Sequence, residues 1–113
     1  MPGYFAPAGE TADYRWANIS PGYEVEVEID LPDGCKARDV DVKIKADNVS
    51  VKICDRTIVH GDLLNRCDPE ESYWEIRGTR LVVILQKAGG STIPWPNVFV
   101  KDCKQTLDIE DLL

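Results

Sequence analysis

The sequence predicts an all-β protein, a seven-stranded antiparallel β-sandwich. Three observations carry this. Short segments alternate apolar with polar residues, turn-forming residues separate them, and no convincing helix precedes residue 100. Alternation sends successive side chains to opposite faces, so each segment has one buried and one wet face. A chain of 113 residues is one domain and long enough to bury a core.

The elements follow in order. Residues 1–13 hold Pro2, Gly3, Pro7 and Gly9 with little periodicity and read as a flexible lead-in. Tyr14 opens the strand pattern, and Trp16 sits in the first strand. In "YEVEVEIDL", Val25, Val27, Ile29 and Leu31 share the inner face, while Glu24, Glu26, Glu28 and Asp30 share a strongly acidic outer one. Pro32-Asp33-Gly34 ends that strand. "DVDVKIK" and "NVSVKIC" turn Val40, Val42, Ile44, Val49, Val51 and Ile53 inward, with Ile44 opposite Val49 and a loop tip at Ala46-Asp47. Asp47 and Asn48 tolerate left-handed backbone. "TIVHGDLL" is a further short strand, and Asn65 to Glu71 is loop.

The last hairpin, "ESYWEIRGTRLVVILQK", breaks the rule. Leu81 to Leu85 is apolar on both parities. Gly78-Thr79 suits a two-residue type II′ turn. That turn sets Ile76 opposite Leu81 and Trp74 opposite Val83 on the inner face. It sets Arg77 opposite Arg80, Glu75 opposite Val82 and Tyr73 opposite Ile84 on the outer. Three arrangements satisfy this parity. "IPWPNVFV" or the N-terminal segment covers the outer face; or Tyr73, Val82 and Ile84 form an exposed apolar patch rimmed by Glu75, Arg77, Arg80 and Lys87; or a displaceable tail covers it in part. Apolar patches with polar rims mark protein-binding surfaces.

Composition excludes several functions. The net charge of −7 disfavours nucleic acid and anionic membranes. No segment has the apolar length to span a bilayer, and the first residues do not read as a secretory signal. The four cysteines lack metal-ligand spacing and His60 stands alone, so four reduced thiols in a cytoplasmic protein are expected, with no metal and no cofactor. One histidine gives no support for a hydrolytic triad, and no enzyme activity is expected. Trp95, between Pro94 and Pro96, is held extended as either a plug over the sandwich end or a partner anchor.

The order of elements is similar to a known family. Tyr14-Arg15-Trp16-Ala17-Asn18, Leu31-Pro32, Asp39 to Ile44, Gly61-Asp62-Leu63, Glu70-Glu71-Ser72-Tyr73-Trp74, Leu85-Gln86-Lys87 and Trp95 resemble the CS domain, in particular its nuclear movement (NudC) branch, with Asn18 where glutamine is usual. The resemblance spans about residues 14–96, leaving 97–113 as an acidic tail. It implies a small heat-shock-like sandwich that acts as a co-chaperone or ATP-independent chaperone. The implied partners are client proteins and the ninety-kilodalton heat-shock chaperone, with a link to dynein-dependent nuclear migration. An adaptor scaffold or a small heat-shock-like oligomer is the alternative. The animal members' dimerising coiled coil is not in this sequence, and a monomer or weak dimer is expected. Tyr14, Trp16, Tyr73, Val82, Ile84, Lys87 and Trp95 are the expected partner-binding residues. Leu107-Asp108-Ile109 resembles the tail element by which small heat-shock proteins link subunits.

Overall fold

The computed structural model describes residues 7–19 and 21–105. Two antiparallel sheets face one another. β1 (Ala8–Glu10), β2 (Arg15–Ile19), β3 (Glu24–Asp30), β8 (Arg80–Gln86) and β7 (Tyr73–Arg77) form one sheet in that spatial order. β4 (Val40–Lys45), β5 (Asn48–Ile53) and β6 (Arg56–Asp62) form the other. The predicted sandwich is present with eight described strands rather than seven. The additional strand, β1, lies inside the stretch expected to be a flexible lead-in. It crosses Trp16 so closely that a Cβ on Gly9 would come within 2.5 Å of the indole Nε1, which only glycine allows.

Parity fills the space between the sheets. Val25, Val27 and Ile29 of β3 and Leu81, Val83 and Leu85 of β8 meet Val49, Val51 and Ile53 of β5 and Val59 of β6. Trp16 is buried at one side, and Trp74 and Ile76 pack partly buried at another. Gly78 has φ +59, and the pairs Ile76–Leu81, Trp74–Val83, Glu75–Val82 and Tyr73–Ile84 stand as the turn requires. Ile44 pairs with Val49. The left-handed backbone appears one hairpin later than expected, at Cys54 (φ 50) and Asp55 (φ 65). These two residues close β5 onto β6 in a tight turn.

Two boundaries move. The sandwich runs past Pro96, because Val98 and Phe99 are fully buried. Phe99 bridges to Leu63 and meets Tyr14 edge-on with ring centroids 5.7 Å apart. The sequence offers the segment that holds them, IPWPNVFV, as cover for the outer face of the last hairpin rather than as core. A 3₁₀ turn, Val100–Gln105, follows; Leu107-Asp108-Ile109 lies outside the described residues. The expectation of four reduced thiols is also corrected. Cys35 and Cys54 form a disulfide that closes 19 residues and ties the β3–β4 connection to the β5–β6 turn. Their distance along the chain gave no sign of it.

Candidate protein-docking site

The outer face of the five-stranded sheet carries the double-parity strand. Val82 and Ile84 point away from the core, as parity demands, yet they are 1% and 2% exposed. This corrects the exposed patch: of the predicted trio only Tyr73, 47% exposed, reaches solvent. The cross-strand neighbours of Val82 and Ile84 on that face are long side chains. Val82 lies between Glu28 and Glu75, and Ile84 between Glu26 and Tyr73. Long side chains lay their methylenes over apolar neighbours and keep their charges wet. Three arginines fix those carboxylates in place. Arg80 bonds Glu28 at 3.2 Å, Arg77 bonds Glu26 at 3.3 Å and also Glu75, and Arg15 bonds Asp30 at 3.2 Å. The acidic row is therefore a mixed-charge lattice. Desolvation, opposed by Arg77, raises the Glu26 carboxyl above its ordinary pKa.

The Trp95 segment is locked at the end of the sandwich. The Trp95 amide donates to Asn18 Oδ1 at 2.9 Å, and Asn18 Nδ2 donates back to the Trp95 carbonyl at 3.0 Å. The same Nδ2 also donates to the Pro7 carbonyl at 2.8 Å. The Trp95 ring is 3% exposed, so it is a plug and not a free anchor. Trp16, which the sequence also allows as core or sheet edge, and Tyr14 are likewise buried, at 7% and 4% exposed. The Tyr14 hydroxyl donates to the Asp102 carboxylate. Burial first, and this bond second, raise the phenol well above its ordinary pKa.

Between the plug and the Leu64–Arg66 stretch lies a groove of about 580 Å³. Leu64, Arg66, Lys87, Ile93, Trp95 and Pro96 line it. Ile93 is 73% exposed and Leu64 also stands in solvent. The Tyr23 carbonyl accepts the Lys87 amide at 2.8 Å. Lys87, expected as a surface contact, is instead buried. Its Nζ has no hydrogen-bond partner among the described residues. Desolvation lowers its pKa from the ordinary lysine value. Sequence reasoning singled out Lys87 and Trp95 but missed Asn18, the arginine lattice and the groove.

This arrangement defines a small antiparallel β-sandwich domain with exposed Leu64 and Ile93 on a groove beside Trp95. The chain belongs to the CS domain family, whose model matches residues 13–87. It is 35% identical over 74 residues to Protein BOBBER 1 of Arabidopsis thaliana, covering 65% of this chain and 24% of that protein. It is 25% identical over 89 residues to NudC domain-containing protein 1 of Mus musculus, covering 79% of this chain and 15% of that one. The chain thus spans a quarter or less of these curated relatives. Two solved structures share the fold. The nuclear movement protein from E. cuniculi GB-M1 superposes with a TM-score of 0.66 at 20% identity, over 79% of this chain and 100% of that one. The CS domain of human KIAA1068 protein does so with 0.71 at 21% identity, over 88% and 81%. No helix among the described residues is long and apolar enough to cross a membrane.

Proposed function

We propose that the chain acts as a co-chaperone or ATP-independent chaperone, holding client or chaperone proteins by reversible, non-covalent contact and catalysing no reaction. The observation that carries this is the exposure of Ile93 and Leu64 together on the groove at the Trp95 end. Clustered apolar side chains in solvent serve association. Tyr73, set in the arginine–carboxylate lattice, supplies a second contact point, since tyrosine and arginine are enriched among residues that carry binding energy. One structural neighbour, a nuclear movement protein, motivates a link to nuclear movement, and the sequence resemblance motivates the ninety-kilodalton heat-shock chaperone as a partner.

A second reading, an adaptor with one fixed partner, draws on the burial of Val82 and Ile84, which shrinks the apolar area open to promiscuous clients. Light scattering of two unrelated proteins heated with stoichiometric chain separates the two. The chaperone reading expects aggregation of both to fall. Unchanged scattering from both contradicts it and leaves the adaptor.

A further inference from the structure

We propose that the groove beside Trp95 is a receptor for an acidic side chain carried on an extended, apolar peptide segment of a partner protein, with Lys87 as the carboxylate-binding residue. This rests on the protein-binding reading and names the chemistry of the partner.

The first support is the state of Lys87. A lysine that is 1% exposed, with Nζ lacking any partner among the described residues, is energetically expensive to keep. Its backbone is already fixed by the Tyr23 carbonyl and by pairing with Cys67. The fold does not need the ammonium. A methionine of similar length would pack the same stem without desolvating a charge. Groups held against stability in this way belong to binding sites.

The second support is the lining. Among the described residues, Lys87 and Arg66 contribute to the groove and no aspartate or glutamate does. The whole chain carries 20 acidic residues against 13 basic ones, so an acid-free, twice-cationic groove is a local reversal of charge. The third is shape. Ile93 and Leu64 offer apolar contact on the rim, and Pro94 and Pro96 hold their segment extended. A ligand matched to all of these presents a carboxylate with aliphatic residues beside it. A charge-assisted bond to a desolvated ammonium is among the stronger polar contacts available.

The test uses amide NMR on the full chain, titrated with the capped pentapeptide Gly-Leu-Glu-Leu-Gly and its counterpart with glutamine at the centre. The amides of Arg66, Lys87, Ala88 and Ser91 are expected to shift with the glutamate peptide. The glutamine peptide is expected to bind at least about tenfold more weakly. Lys87→Met is expected to lose that discrimination while its melting temperature stays level or rises. Ile93→Asp, on the exposed rim, keeps the fold and places a repelling carboxylate there, so binding should weaken again. Equal shifts from both peptides, no shift at the groove, or a wild-type preference kept in Lys87→Met would overturn the assignment. So would inorganic phosphate alone matching the glutamate peptide in affinity, which marks a general anion site. Lowered stability of Lys87→Met with unchanged discrimination makes the lysine structural and overturns it equally. A chain that suppresses aggregation but ignores the glutamate peptide loses this inference and keeps the chaperone reading. A chain that binds the peptide but suppresses nothing does the reverse.

Discussion

Asn18 reaches 77 residues along the chain to hold Trp95 by both its amide and its carbonyl. Removing the side chain leaves a buried amide without its acceptor, which costs about 1–3 kcal/mol. Asn18→Ala is therefore expected to lose about 2 kcal/mol in urea unfolding and to raise hydrogen exchange at Trp95. Lys87 gives a second expectation, in pH. Its folded pKa is lowered, so the unfolded chain binds the proton more tightly, and stability rises with pH from the folded value toward the ordinary 10.5. Tyr14 works in the opposite direction, because its raised pKa lets the unfolded phenol ionise first above about 10. Comparing wild type with Lys87→Met between pH 8 and pH 10 isolates the lysine: the wild-type gain should exceed the variant's. The sequence placed both Trp95 and Lys87 near the site, because prolines and a charged end to an apolar strand are local features. It did not show the Asn18 clamp, since a hydrogen bond across 77 residues leaves no local trace.

At the scale of elements, the β7–β8 hairpin shows what parity determines and what it leaves open. The turn fixed every cross-strand pair, because a two-residue loop permits one register. It left open whether the outward residues meet water. Val82 and Ile84 prove buried, beside Glu26, Glu28, Glu75 and their arginine partners, which belong to four different strands and meet only after folding. Two substitutions on the same face should consequently diverge. Ile84→Asp puts a carboxylate into a site 2% exposed and is expected to lose at least ~3 kcal/mol, visible as a collapsed melting transition. Tyr73→Asp, next to it and half exposed, is expected to lose about 1 kcal/mol or less while weakening partner binding. The lattice itself adds little to stability, as exposed ion pairs do, so Arg80→Ala should cost under about 1 kcal/mol.

At the scale of the molecule, the Cys35–Cys54 bond ties the connection leaving one sheet to a turn in the other. Closing a loop of this size contributes about 3 kcal/mol. Reduction, or Cys54→Ser, should lower the melting temperature by on the order of 10 °C without changing the folded circular-dichroism spectrum. An unchanged melting temperature would show that the bond adds nothing. The sandwich itself was legible because its inner faces alternate over several strands, and a repeated pattern survives any single exception. The additional strand and the buried Val98-Phe99 pair were not, because each is too short to show a period.

Docking of proteins at the Trp95 end is the proposal on which the functional reading depends. Amide NMR of the labelled chain, titrated with a reduced, permanently unfolded client, tests it most directly. Broadening should concentrate at Leu64 to Arg66, Lys87 to Ile93 and Tyr73. A footprint confined to β4, β5 and β6, with those amides unchanged, would contradict it.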